Sequence, residues 1–209
     1  MKLSLKTQNR PSVIIYSLFL GVLIWWTIKG SIDLPDILTA SEYQSTALVA
    51  GLSGIVSLLI SELIPAKVKL HLVYWRRKNP APGSRAFSEI MHLDHRIDPK
   101  VLERRFGPLP TDPAEQDRKW YQIYKPLDGN IGVDDPHKSY LLFRELTVST
   151  VVLGLVGTVL AIIFASNLVH VLAFSGTMVL FFCAMAIAAQ NAGKRLVSNT
   201  LAIASAAKD

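Results

Sequence analysis

Cysteine is nearly absent from this chain of 209 residues: Cys183 stands alone, which excludes a disulfide scaffold. Asp, Glu, Lys and Arg are missing altogether from residues 13–28 and 146–189. A soluble globular protein spreads its charge over its whole surface, so that segregation excludes an ordinary soluble domain. No Gly-rich phosphate loop and no nucleophile elbow occurs, and Cys183 lies in an apolar run with no basic neighbour to activate a thiol. The low hydrophobicity that disorder requires is missing too, since half of the residues are apolar and mean hydropathy is +0.33.

What is present is a set of long apolar runs. A helix needs about 20 mostly apolar residues to cross a bilayer core. Four runs meet that length: about Pro11 to Ile28, Thr46 to Ile64, Leu146 to Ala165 and Leu168 to Ala189. Trp25 and Trp26 end the first, as interfacial aromatics do. That run is long and ends in two tryptophans and Lys29 with no small-residue cleavage site behind it, so it reads as a retained span and not as a signal peptide. Ser41 with Gln44 reads as a capping box opening the second. Only Ser166-Asn167 separates the last two, which implies a tight antiparallel pair.

The flanking charges give an orientation. Lys2, Lys6 and Arg10 precede the first span, Lys67, Lys69, Arg76, Arg77 and Lys78 follow the second, Lys138 and Arg144 precede the third, and Lys194 and Arg195 follow the fourth. Residues 30–45 carry Asp33, Asp36 and Glu42 and no Lys or Arg. The positive-inside rule places both termini and the middle segment in the cytoplasm, in the inner (plasma) membrane of a cell. The net charge of +6 then reads as an orientation signal, not as a nucleic-acid footprint.

Most of the prolines and eleven of the sixteen acidic residues fall within 65–145. Asp98-Pro99, Asp112-Pro113 and Asp135-Pro136 each pair a good N-cap with a residue suited to the first helical position. Short helices are predicted at about 84–92, 99–106 and 113–125, with a further helix starting at Pro136 and running into the third span. Asn79–Gly83 reads as a linker. Phe87, Ile90, Val101, Leu102, Phe106, Trp120, Ile123 and Tyr124 form the expected core. The second span is expected to continue beyond Pro65 as a kinked helix to Lys78, where Trp75, Arg76, Arg77 and Lys78, like Trp25 and Trp26, suit a membrane interface.

The fold class expected is therefore an all-α integral membrane protein: two transmembrane hairpins with a small helical cytoplasmic insert between helices 2 and 3. Its parts are 1–66, a module at 67–145, and 146–209 with a cytoplasmic C-terminal helix. Small residues recur on the spans: Ala47, Gly51 and Gly54; Gly154, Gly157 and Ala161; Ala184 and Ala188. Such faces let helix backbones approach, and their number suggests that one joins subunits. Glu62, Gln190, Asn191 and Arg195 are candidates for partner contacts or a polar vestibule. Glu62 is expected to cap against Lys67 or Arg195, or to meet water.

The one metal-like cluster is His92 and His95 with Asp94, Asp98 and a distant His137. A zinc site needs three or four ligands, and the alternative is a solvated helix end with Asp94 and Asp98 paired to Arg96 and Lys100. The reading is a non-enzymatic protein with no cofactor and no direct nucleic-acid partner. Its expected partners are the bilayer, copies of itself and a cytoplasmic protein or signal. A channel or transporter subunit, and a metal-dependent membrane enzyme, are the alternatives. The plan of two spans, a compact cytoplasmic segment and two spans resembles that of small bacterial multi-span proteins that sit beside cytoplasmic sensors, some of them in anti-phage defence; that resemblance implies a sensor, anchor or effector.

Overall fold

Four helices dominate the computed structural model, which describes residues 4–29, 40–164 and 167–207, with the backbone alone at 40–42. Lys2, the acidic Asp33 and Asp36, and Ser166 of the expected tight turn lie outside the described residues. Among those described the chain is helical, without strands. Helices α1 (Leu5–Lys29), α2 (Ala40–Leu63), α6 (Ile131–Phe164) and α7 (Leu168–Ala206) are each long and apolar enough to cross a membrane. Between them lie α3 (Ala66–Tyr74), α4 (Pro99–Phe106) and α5 (Pro113–Tyr124). At 1.5 Å per residue, α6 and α7 run about 50 and 60 Å, well beyond a 30 Å hydrocarbon core.

The chain divides into two compact units: Met1–Lys69 with Leu142–Ala186, and Leu70–Leu141 with Ile187–Asp209. In the first, α1 starts six residues before Pro11, where the Ser4 hydroxyl accepts the Thr7 N–H as a cap. α2 begins at Ala40, ahead of the expected Ser41 cap, whose side chain lies outside the described residues. α1 packs on α2 through small residues. A Cβ on Gly21 would stand 2.5 Å from Ser53 Oγ and 2.9 Å from the Ala50 Cα, so only glycine allows this approach. Ser17 and Ser57 are hydrogen-bonded across it at 2.6 Å. α1 also meets α6 and α7 in a core of Leu20, Ile24, Leu153, Phe174 and Met178.

In the second unit, α4 and α5 start where the Asp-Pro pairs predict. Asp98 accepts the N–H groups of Lys100 and Val101, and Asp112 those of Ala114 and Glu115. Gly107, at φ +80°, closes α4. Three expectations need correction. Residues 84–92 form no α-helix but two 3₁₀ turns, Pro82–Arg85 and Ile90–Leu93. The reason is side-chain competition: the buried Gln116 carbonyl accepts from Phe87 N and Ser88 N, and Ser84 Oγ donates to the Asn79 or Ala81 carbonyl. Asn79–Gly83 is no linker, because Pro80, Pro82 and Gly83 are buried and Gly83 lies against Asp117 and the Trp120 ring.

The helix expected from Pro136 starts at Ile131, where Asn130 Oδ1 accepts the Gly132 N–H. Pro136 sits inside it and has no N–H for the Gly132 carbonyl four residues back. Asn199 Nδ2 supplies that donor at 2.8 Å. Of the expected core, Phe87, Ile90, Leu102, Trp120, Ile123 and Tyr124 are buried, whereas Val101 and Phe106 are half-buried. The C-terminal part of α7 adds buried Leu196, Val197 and Leu201 to this unit.

Asn199→Leu is expected to cost about 1–3 kcal/mol, the range for a buried acceptor left unpaired. In a Pro136→Ala background the cost falls, because alanine restores a backbone N–H for the Gly132 carbonyl. Urea unfolding of the four proteins in detergent measures that coupling; strictly additive costs would show that Asn199 does not serve this carbonyl.

Candidate functional site

Pro65 interrupts the path from α2 to α3 and leaves the Ser61 carbonyl without its helical donor. The carbonyl is closed by a side chain four residues beyond the proline: Lys69 Nζ donates to Ser61 O at 2.7 Å. Using an ammonium here brings a charge into a dry place, since the Lys69 side chain is 4% exposed. Glu145, 6% exposed on α6, balances it at 2.5 Å. The other Glu145 oxygen accepts from Arg144 at 3.0 Å, and Ser61 Oγ donates to the Lys69-bound oxygen at 2.9 Å. Burial pushes the Lys69 ammonium below its ordinary pKa, opposed by its hydrogen bond to Glu145.

Charges buried at the end of apolar helices are costly and mark functional positions more often than chance. This cluster is the candidate site, and sequence reading missed it. In the sequence Lys69 reads as a flanking charge, and Glu145 stands just outside a charge-free run. The signal is the spacing of Pro65 and Lys69, because a proline in a helical path orphans the carbonyl four residues before it.

Glu62 is exposed to solvent, one of the alternatives expected for it, and its ion partners lie on α1. Lys6 Nζ donates to both its oxygens at 3.0 Å, and Arg10 lies at 3.5 Å. This pairing is solvent-exposed and therefore weak. Gln190 Nε2 donates at 2.7 Å to the Val73 carbonyl in the last turn of α3. Asn191 and Arg195 are exposed.

The small residues separate into two groups. Gly54, Gly154, Gly157 and Ala161 are buried, and a Cβ on Gly157 would collide with Ile24 at 2.6 Å and Phe174 at 2.7 Å. Ala47 and Ala184 are exposed, Ala188 is half-buried, and nothing lies within 4 Å of a Cβ on Gly51. On α7 the small residues that are buried include Ala186, Ala189 and Ala192, not the expected pair. Trp25 and Trp26 are half-buried on α1, with Lys29 Nζ 5.4 Å from the Trp25 ring centre. Trp75, Arg76, Arg77 and Lys78 do not continue a helix: α3 ends at Tyr74 and Trp75 adopts φ +52°.

The histidine cluster dissolves as a ligand set. His92 lies in a 3₁₀ turn, His137 is hydrogen-bonded to Tyr124, and Asp94 binds Arg96 and Ser198. Among the described residues no three His, Cys, Asp or Glu side chains gather as a metal site needs. Asp94 and Arg96 instead hold the C-terminal part of α7, with Arg96 donating to Asn199 at 2.8 Å and Arg105 to the carbonyls of Ala204 and Ala207. The Arg96 hydrogen bonds hold the Asp94 carboxyl well below the usual carboxylate range, with Ser198 adding to them.

No protein-family model matches the chain, and neither a curated protein nor a solved structure is significantly similar to it.

Removing one member of the buried pair, by Lys69→Met or Glu145→Gln, is expected to cost about 3–5 kcal/mol. The double change Lys69→Met with Glu145→Leu costs less than the sum, because no lone charge remains; detergent-phase unfolding measures it, and additive losses would deny the coupling. Asp94 generates a pH dependence of known sign. Its folded pKa is depressed, so its stabilisation is complete above an unfolded value of about 3.9 and is lost as pH falls through the folded value. Amide exchange over 198–207 should therefore lose protection in acid, and Asp94→Asn should flatten that dependence.

Proposed function

We propose that the chain is a non-enzymatic, multi-pass protein of the inner (plasma) membrane, with both termini and the second unit in the cytoplasm. In this reading the spans form two hairpins and associate with other copies, and the cytoplasmic unit binds a protein partner or signal. The observation that carries it is the buried Lys69–Glu145 pair beside Pro65. It ties the entry of α3 to α6 with a contact that is strong when complete and costly when half-made. α6 also supplies residues to both units, Ile131–Leu141 to one and Leu142–Phe164 to the other, without a break in its helix. A partner that displaces the cytoplasmic part of α6 thus has a continuous helix through which to act on the spans.

A channel subunit fits less well. Of the hydroxyls that would line a path, Ser53 donates to Val49 O, Ser57 is bonded to Ser17, and Thr150 bonds Leu146 O and Tyr16. Each is used in packing, as hydroxyls in apolar helices commonly are.

Two measurements test the reading. Mass determination in detergent should give a multimer for the wild type and a smaller species for Gly51→Leu, with unfolding unchanged because that position is open; a monomer in both cases overturns self-association. Cross-linking in intact cells should capture a cytoplasmic protein through the second unit, and recovery of the chain alone overturns the partner.

A further inference from the structure

We propose that the turn from Trp75 to Asn79 is a docking site for anionic phospholipid headgroups. This rests on the membrane placement of the first unit and is independent of any protein partner or self-association. Two non-glycine residues with positive φ, Trp75 at +52° and Asn79 at +45°, bracket Arg76, Arg77 and Lys78. A bulky residue in the left-handed region is strained, and such strain persists where the surroundings impose it. Its effect here is to end α3 abruptly and turn the chain. The turn is pinned by the Trp75 N–H to the His71 carbonyl at 2.9 Å, and by the His71 ring against the Arg76 carbonyl at 2.5 Å.

The three cations are all exposed, and no carboxylate pairs with them among the described residues. Elsewhere in this unit Arg85, Arg96 and Lys125 do have carboxylate partners. Trp75 is 54% exposed beside them. An exposed indole next to unpaired cations matches the chemistry of the bilayer boundary: the ring sits at headgroup level and the cations meet phosphate. The connection also permits it. Trp75 follows Leu63, the end of the membrane-long part of α2, with only the α3 helix and its short flanks between. At 1.5 Å per helical residue and about 3.5 Å per extended one, that chain reaches about 25 Å at most. Long basic side chains, with a screening length near 8 Å, extend the reach back toward the surface.

The test uses the full-length protein in neutral detergent, titrated with phosphatidylglycerol or phosphatidylcholine and read by native mass spectrometry. Wild type should retain the anionic lipid in preference. Replacing Arg76, Arg77 and Lys78 together by Ala should weaken that preference roughly a hundredfold, from the usual contribution of each basic residue at an anionic surface. Replacing Arg76 and Arg77 by Lys should keep it within a few-fold, which also separates loss of charge from loss of fold. Trp75→Asn, which tolerates the left-handed backbone without the ring, should lower retention several-fold. Glycerol phosphate at equal concentration should not compete; if it does, the site takes a free phosphate and the lipid assignment fails. Equal retention of both lipids by the wild type, or an unchanged preference in the triple Ala variant, overturns the proposal. So does an anionic oligonucleotide whose binding is lost in that variant while the lipid preference stays. None of these outcomes alters the mass or cross-linking results that bear on the broader reading.

Discussion

A carbonyl that has lost its helical donor in an apolar setting must find another, and this fold is arranged around that requirement. The cost of leaving such a group unpaired is of the order of 1–3 kcal/mol in a protein interior and higher where no water reaches. Among the described residues, carbonyls at breaks and helix ends are closed by side chains at five places: Ser61 by Lys69, Val73 by Gln190, Phe106 by Lys119, Gly132 by Asn199 and Ala204 by Arg105. Two of these, Ser61 and Gly132, stand four residues before a proline. Three of the five donors to these carbonyls are charged, and three of the five links span more than 60 residues of sequence. Helix termination and tertiary structure are therefore the same event in this chain.

The chemistry of each donor decides how far its consequences reach. Asn199 and Gln190 are neutral, so they close a carbonyl without introducing a charge. Lys69 closes its carbonyl with a buried charge, and that charge demands Glu145, whose second oxygen in turn takes Arg144. One missing N–H at Pro65 thus propagates into a four-residue polar cluster at the end of an apolar bundle. A neutral donor would have served the carbonyl equally; the ionic solution adds a contact that responds steeply to loss of either member, which is the property a coupling element needs.

Much of the fold was legible because it rests on local signals. The charge-free runs mark the long helices, and Asp98 and Asp112 with their prolines mark the starts of α4 and α5. The misreadings occur where a distant side chain outcompetes a local one. Residues 84–92 have helical spacing, but Gln116 from α5 takes the N–H groups that a helix would use. Asp135-Pro136 has the same form as the two real caps, yet Asn130 caps first and Asn199 removes the penalty of an internal proline. Lys69 and Glu145 are 76 residues apart in sequence, and although the Pro65–Lys69 spacing hints at the lysine's role, nothing local marks Glu145 as its partner.

The small residues show why a pattern that identifies packing does not say what packs. Gly21, which belongs to no repeat, closes the α1–α2 contact, while a Cβ on Gly51, in the middle of a repeat, would touch nothing. Successive small residues on α2 occupy different faces: Ala50, Ser53, Gly54 and Ser57 turn toward α1, and Ala47 and Gly51 turn away. A helix with 3.6 residues per turn cannot keep positions three and four apart on one line, so a broad small-residue surface splits into a filled part and an open part. The filled part is explained by packing within one chain. The open part is bordered by exposed Leu48, Leu52 and Ile55, and the self-association proposed above would use it.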